Sequence, residues 1–575
     1  MSDLLISGGT VVDGTGAPAY AADVRVRNGV ITEIGQNLKA HADERVFDAG
    51  GCYVAPGFIE SHTHFDGTMW WEPEMDPLPG FGVTTSIMGN CGFSAAPVSR
   101  DEAARLEMVK IFSFFEDIPI EPFLKELPWD WNTWSEYKKS LTGKLKVSSN
   151  YGAFVGHIAI RLAVMGLDAW ERVATPEEIS RMTELLDDAL KAGAMGMSTN
   201  LLDHDGNDRP IPTLVADDAE FAALIAVLEK YPAATLQVVL DTFMRMSAPK
   251  EMARIARLCG ERRIRVQFAG GVPTLEFQKP MQAQMVEQIE RFKSEGLDFW
   301  AGYAHVSPTN TLGIKHSLIF AQSNDYVWHE VVLAKSDEEK AALLRDPDWR
   351  ARARNSWDND AWKHSPMANG KTLLLLNSDN GVGPVRVTLG EFAEQLGGVH
   401  ASDAMAEWLL RNGLDSTVHM PPFPMDEDMV IRLLKDPQTV GNINDAPAHG
   451  QMLCGGGENM LLFTKYVKQL NVLTIEEAVH VMTGKLARHF NLADLGEIKV
   501  GMRADITVFN IDEIQYREMK KVHDVPDGKG GKIWRWTRDA APMRLTLVNG
   551  VPTFEDGRFT GARPGEMLAP ALSAA

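Results

Sequence analysis

The sequence predicts an α/β fold: a (β/α)8 TIM-type barrel, a small β-sandwich formed from both chain ends, and a mostly helical insertion. Three observations predict it. Eight apolar strand candidates alternate with helical stretches through the middle of the chain, the pattern of βα units around a parallel sheet. Both chain ends carry short alternating runs of β-branched and apolar residues broken by Gly, Asp, Asn and Pro. Between the seventh and eighth strand candidates lie roughly 130 residues, far more than an ordinary loop.

Residues 4–35 read LLISGGTVVDGTGAPAYAADVRVRNGVITEIG, and DITVFN (505–510) and LTLVNGVPTF (545–554) share that texture. Residues 1–54 and 496–575 are therefore expected to pair as one composite β-sandwich domain, since a domain split in sequence can still be compact in space. Residues 55–495 form the expected barrel, with the insertion at about 306–436 over its mouth. The eight strands are expected at Val54 to Ile59, Thr84 to Met88, Gly152 to Val155, Met195 to Ser198, Leu236 to Leu240, Arg265 to Phe268, Phe299 to Ala304 and Thr439 to Ile443. ATPEEISRMTELLDDALKAG (174–193) is a clear helix, with Thr175 as cap, Glu177 and Glu178 in the first turn and Gly193 at the stop. In the insertion, SDEEKAALLRDPDWRARAR reads as a solvated helical face.

Composition narrows the function classes. With 45% hydrophobic residues, 14 Trp and 24 Phe, the chain of 575 residues has material for a large core. Its formal charge of −21 would repel a phosphate backbone, so nucleic acid is not an expected partner. Cys52, Cys91, Cys259 and Cys454 form no CxxC pair and suit a reducing, cytoplasmic setting. The N-terminus does not read as a secretory signal, and no run approaches the ~18–20 apolar residues of a membrane span. A small-molecule substrate is the expected partner, and oligomeric state is not legible.

Three motifs carry chemistry. In APGFIESHTHFD (55–66), side chains two apart on a strand point the same way, so His62 and His64 face inward together at the carboxyl end of the first barrel strand and can share one cation. In FGVTTSIMGNCGFSAAP (81–97), glycines on both sides of Asn90–Cys91 allow a sharp turn that leaves the thiol at the strand end. Cys91 is a candidate metal ligand there, with buried packing as the plainer alternative. In VGNINDAPAHG (440–450), the eighth strand runs into Asp445, a carboxylate able to touch a metal and take a proton from its water, and into a turn carrying His449.

Together the leader, APGFIESHTH, GNCGFSAAP, NDAPAHG, LGEIKVGMRADITVFN (495–510), VSSNYGAFVGHIAIRLAVMG (147–166) and TGARPG (560–565) resemble the amidohydrolase superfamily, and more narrowly the N-acyl-D-amino-acid deacylases, or D-aminoacylases. The resemblance implies His62 and His64 as the first-strand metal pair, Cys91 in place of a bridging carboxylated lysine, and Asp445 as both metal ligand and general base. It implies zinc, with other divalent first-row metals as alternatives, and hydrolysis of an N-acyl bond. The family also places a metal-binding histidine at the ends of strands five and six, where this chain reads LQVVLDTF (236–243) and RVQFAGG (265–271). One ion is therefore expected rather than two, with Asp241 and His305 as the nearest substitutes for the absent ligands.

His449, Arg161 and His157 are candidates for substrate binding. A hydrogen-bonded core histidine is the competing reading of His157, and an internal salt bridge that of Arg161. His204 in LLDHDGNDRP is a loop residue for which substrate contact is also considered. CGGGEN (454–459) lacks the Lys-Ser/Thr of a P-loop and reads as a turn. The leading function is metal-dependent hydrolysis of N-acyl (D-)amino acids or related amides. The alternatives are a hydrolase of a cyclic amide, lactone or dipeptide-like compound, and a non-catalytic paralogue.

Overall fold

The computed structural model describes residues 3–571 except 208, 244, 308, 310, 316–326, 359–369, 442, 450 and 452–455. Cys454 and Gly455 of the CGGGEN turn, the Ala-rich tail beyond 571 and two stretches of the insertion lie outside the described residues.

The two flanks meet in one sheet of nine strands. Leu4–Val11, Tyr20–Arg27, Val30–Gly35, Arg45–Asp48 and Tyr53–Pro56 come from the amino end, and Ile506–Phe509, Met543–Val548, Val551–Glu555 and Arg558–Phe559 from the carboxyl end. The seam is the antiparallel pair Tyr53–Pro56 with Ile506–Phe509, where Val54 lies opposite Val508. Ile6, Val24, Val54, Ile506, Val508 and Leu547 pack on one face as a core of their own, which is the reason for the alternating pattern in both flanks.

The middle of the chain is a run of parallel strands. Phe58–Glu60, Val83–Met88 and Asn150–Ala153 form one sheet. Val155–Gly156, Gly196–Asn200, Thr235–Val239, Arg265–Ala269, Phe299–Gly302 and Thr439–Val440 form a second. Ile443–Ala446 pairs in parallel with His62–Thr63 in a third. Five of the eight expected strands match single strands within a few residues. The first does not: Val54 to Ile59 is not one strand, because Tyr53–Pro56 belongs to the nine-stranded sheet and the parallel strand begins at Phe58. The break is at Gly57, whose N–H donates to the Asp505 carbonyl at 2.8 Å and where any Cβ would overlap the Thr84 side chain. The expected third and eighth strands are likewise each two strands in different sheets, Asn150–Ala153 with Val155–Gly156 and Thr439–Val440 with Ile443–Ala446.

Helices return the chain between strands. The helix Pro176–Lys191 carries a reciprocal capping box between Thr175 and Glu178 and buries Met182, Leu186, Ala189 and Leu190, with Gly193 just beyond at φ 98°. The insertion is helical but also holds a four-stranded antiparallel sheet, Thr311–Gly313, Thr417–His419, Leu374–Asn377 and Val387–Thr388. Strands of two to four residues leave too little alternation to be read. Trp328, Trp349, Trp357 and Trp408 give this region a separate core. The charged stretch is two helices, Asp337–Arg345 and Pro347–Trp357, divided at Pro347. No helix among the described residues is long and apolar enough to cross a membrane.

Gly196 sits at φ 140°, a conformation side chains rarely adopt, and a Cβ there would overlap the backbone oxygen of Thr235 on the next strand. Gly196→Ala is therefore expected to cost about 3 kcal/mol or more, read as a lower urea midpoint with unchanged slope.

Candidate metal centre

Four side chains from three strand ends converge. Nε2 of His62 lies 3.0 Å from Cys91 Sγ and 3.1 Å from Asp445 Oδ1, while Nε2 of His64 lies 3.8 Å and 3.6 Å from the same two atoms. One ligand atom from each of the four lies within 4.8 Å of all the others, and this is the single such group among the described residues. Ligands at about 2.0–2.3 Å from a tetrahedral zinc would stand roughly 3.3–3.6 Å apart. The donor set and its spacing therefore fit one cation.

Local backbone features aim these groups. Gly89 and Gly92 both adopt φ 74°, and a Cβ at Gly89 would press on the Phe154 carbonyl. Between them Asn90 donates from Nδ2 to the carbonyls of Ile87 at 2.8 Å and Thr63 at 3.2 Å, tying the cysteine turn to the histidine strand. Cys91, Asp445 and His449 all take positive φ, 56°, 55° and 54°. Strain of that kind, of order 1–3 kcal/mol per residue, concentrates where a side chain must be held in one place. His64 N donates to the Ala446 carbonyl at 2.8 Å, locking the first and last strand ends together.

A second layer surrounds the ligands. Nδ1 of His64 is 3.4 Å from Oε1 of the buried Glu116, whose other oxygen is 3.8 Å from His449 Nε2. The amide of Gln237 is 3.4 Å from His62 Nδ1, and with its oxygen turned to that position it accepts the Nδ1–H and leaves Nε2 free for a cation. Burial lowers the His62 pKa to about 4, keeping the ring neutral as ligation requires. Burial pulls His64 down too, but Glu116 and Asp445 outweigh it and raise the ring to about 8. Burial lifts Glu116 to about 8 and the Cys91 thiol well above its ordinary value. For Asp445 burial is outweighed by His62 and His64, which hold the carboxyl below the usual carboxylate range.

The cluster borders a cavity of about 270 Å3. His62, Cys91, Asp445 and His449 line it, with Glu116 and Asp203 alongside, and its walls are mostly hydrocarbon from Leu202, Val239, Leu240, Phe243, Val272 and Leu275.

Of the residues singled out in the sequence, the structure brings together His62, His64, Cys91 and Asp445 and puts His449 at their edge. His157 and Arg161 are placed elsewhere. Neither lines the cavity; both are buried against Glu220, with His157 Nε2 2.7 Å from Glu220 Oε1 and Nδ1 3.0 Å from Thr199 Oγ1. Arg161 pairs with the other Glu220 oxygen and donates to the carbonyls of Ala169 and Arg172. The core and internal-salt-bridge readings describe these two residues, and their expected substrate contact is not what the fold provides. Asp241 pairs with Arg245 at 3.0 Å, and His305 Nε2 is 3.1 Å from the Glu458 carbonyl, so neither joins the ligand cluster. His204 packs its ring on Phe114 while its neighbour Asp203 faces the cavity. Sequence reasoning missed Asp203, Glu116 and Gln237. Glu116 ends an ordinary amphipathic helix, Glu102–Glu116, and nothing in its local pattern separates it from a solvated charge.

Parallel strands that carry a His-x-His pair, a cysteine and an aspartate at their ends form a group able to hold a metal ion. The amidohydrolase family model matches residues 45–554, and the chain belongs to that family. It is 28% identical to the N-acyl-D-glutamate deacylase of Alcaligenes xylosoxydans xylosoxydans, covering 98% of this chain and 96% of that protein. It is 26% identical to the D-aminoacylase of the same organism, over 99% and 97%. A solved N-acyl-D-glutamate deacylase from Bordetella bronchiseptica, complexed with zinc and a phosphonate inhibitor, superposes with a TM-score of 0.66 at 24% identity, covering 99% of each chain. A D-aminoacylase structure with a binuclear metal centre gives the same score and identity over 99% and 100%. At that identity the two structures establish a shared fold.

Glu220 is buried against both His157 and Arg161. Glu220→Gln should destabilise the protein by about 3 kcal/mol, because it leaves Arg161 buried without its counter-charge. If both groups serve only the core, thermal unfolding moves while the substrate KM of the folded enzyme does not; a changed KM returns them to the substrate site.

Proposed function

We propose that this chain hydrolyses amide bonds of the N-acyl class, N-acyl-D-amino acids or related amides, at a centre built on His62, His64, Cys91 and Asp445. The observation that carries the reading is the convergence of those four ligand atoms beside a largely apolar cavity, which His62, Cys91 and Asp445 line. When bound, a divalent first-row cation, zinc first among them, supplies a water whose pKa is brought towards ~7 and polarises the amide carbonyl. Asp445, ionised at neutral pH and with 31% of its side chain exposed, is placed to accept the water proton and return it to the leaving nitrogen. Neutral His62 and the His64 ring steadied by Glu116 hold the ligand geometry. The hydrocarbon walls keep bulk water from the reacting atoms.

One cation rather than two is the stoichiometry this site favours. Val239, Leu240, Ala269 and Gly270, at and just beyond the ends of Thr235–Val239 and Arg265–Ala269, offer no side-chain ligand where they line the cavity. The same proposal takes the parallel strands as the wall of a (β/α)8 barrel and residues 1–54 with 496–575 as one composite domain. Their order supports this. Phe58–Glu60, Val83–Met88 and Asn150–Ala153 lie side by side in chain order, as do the strands from Val155–Gly156 to Thr439–Val440; Ile443–Ala446 then pairs back with His62–Thr63, and Ser61 Oγ donates to the Gly441 carbonyl at 2.7 Å.

Elemental analysis of the purified protein should find one ion per chain, with His62→Ala or Cys91→Ser lowering that content. Asp445→Asn should lower kcat by about 100-fold or more towards an N-acyl substrate panel without unfolding the protein. Full activity in a chelated, metal-free protein would end this reading.

A further inference from the structure

The cavity beside the metal cluster adjoins a larger one of about 800 Å3, and Val306, Ser307, Thr309 and Glu458 line both. Three stretches remote in the chain build the second cavity. The insertion supplies Leu374, Leu376, Arg386 and Phe423, the segment after the Asp445 turn supplies Leu461 and Lys465, and the carboxyl flank supplies Arg517 and Arg538. Resting on the function proposed above, we infer that the acyl arm of the substrate is a hydrocarbon chain ending in a carboxylate, and that Arg386 and Arg517 hold this far end in the second cavity.

Four cations line that cavity, and the protein neutralises two of them. Lys465 Nζ pairs with Glu427 at 2.5 Å, and Arg538 pairs with Glu458 at 3.3 Å. Tyr516 Oη donates to the same Glu458 carboxylate at 2.6 Å. Of the three acids in the wall, Glu518, which is exposed, stands outside those pairs. Arg386 and Arg517 have no carboxylate at ion-pair distance among the described residues, and the buried Arg517 Nε has no hydrogen-bond partner among them. The acid whose charge Arg517 feels, Asp539, is paired with Lys520. A buried guanidinium nitrogen left unpaired is costly, and a carboxylate is the ligand whose two oxygens match its N–H groups.

Local structure fixes both arginines. Arg386 N donates to the Leu375 carbonyl at 2.7 Å at the start of the strand Val387–Thr388. Arg517 precedes the hairpin of Met519–Pro526 and Lys532–Arg538, and its carbonyl accepts from Arg538 Nη1 at 2.7 Å. His419 adds a neutral donor to the same wall. Its buried Nδ1 has no hydrogen-bond partner among the described residues, and burial together with the Arg538 charge lowers its pKa.

The hydrocarbon between the two ends selects the arm. Leu202, Val239, Leu240, Val272 and Leu275 line the first cavity, and Leu374, Leu376, Phe423, Met425 and Leu461 the second. A methylene chain matches such walls. An amino acid's own carboxylate is attached at the carbon next to the scissile nitrogen and stays beside the cluster, whereas an acyl chain can run from one cavity into the next.

Matched pairs differing only at the chain end test this. The full-length protein as purified, with its metal content measured, is given N-octanoyl-D-leucine and N-(7-carboxyheptanoyl)-D-leucine, in which a carboxylate replaces the terminal methyl. The acid-ended compound should show kcat/KM at least about tenfold higher, carried by KM. N-malonyl-D-leucine should show no such gain over N-propionyl-D-leucine, because its carboxylate does not leave the first cavity. Arg386→Gln and Arg517→Gln should each lower kcat/KM for the acid-ended compound roughly fivefold more than for the octanoyl compound, and Arg517→Lys should restore part of that difference. Equal cleavage of the long pair overturns the inference, as does an equal gain for the malonyl compound or a ratio unmoved by both arginine variants. So does a gain confined to the amine arm, with N-acetyl-D-aminosuberate preferred to N-acetyl-D-aminooctanoate. If metal-loaded protein cleaves no amide, the hydrolase reading fails separately, and calorimetry with ketone isosteres of the long pair still decides whether the far carboxylate is held.

Discussion

The site depends on one pairing, the parallel contact between Ile443–Ala446 and His62–Thr63. Ser61 and Gly441, whose hydrogen bond lies at its edge, are 380 residues apart in the chain. Bringing such distant segments together costs chain entropy that no local interaction repays. The repayment comes from the hydrophobic core behind the parallel strands and from backbone bonds such as His64 N to the Ala446 carbonyl. Without that closure Asp445 has no histidines, and His62 and His64 are two imidazoles on an isolated strand end.

Around this contact the protein stores strain where it needs accuracy. Cys91, Asp445 and His449 all hold left-handed backbone conformations, and the turn carrying Cys91 has a glycine on either side. Asn90 spends its amide on two carbonyls from neighbouring strands, so the cysteine cannot drift from the histidines. The buried carboxylates do two kinds of work. Glu116 stands behind the histidines with its proton affinity raised, whereas Glu220 is spent wholly on His157 and Arg161 in the core. The two situations cannot be told apart from residue type; what separates them is the neighbour each one meets.

Much of the fold was legible because periodicity and punctuation are local. The helix at Pro176–Lys191 carries its cap, acidic first turn and glycine stop in consecutive letters, and five strands followed from short apolar runs between turns. The errors had physical causes. Val54 to Ile59 reads as one apolar run, yet Gly57 divides it between two sheets because the Thr84 side chain occupies the space a Cβ would need. The small antiparallel sheet of the insertion is made of strands too short to show alternation. Glu116, Asp203 and Gln237 were missed because a cavity wall is assembled from residues that share no local pattern.

The sequence by itself determined which chemistry was available: a His-x-His pair, a cysteine between glycines, an aspartate ending an apolar strand, and no histidine at the ends of the strands near 239 and 269. Ligand type and strand-end position are properties of a few neighbouring residues, so they survive translation into letters. Only the tertiary structure decided which of these groups meet, that His157 and Arg161 belong to Glu220, and that the cavity beside the cluster is largely hydrocarbon-lined. Those facts depend on distances between residues remote in the chain, and distance in space is set by packing the whole core rather than by any one motif.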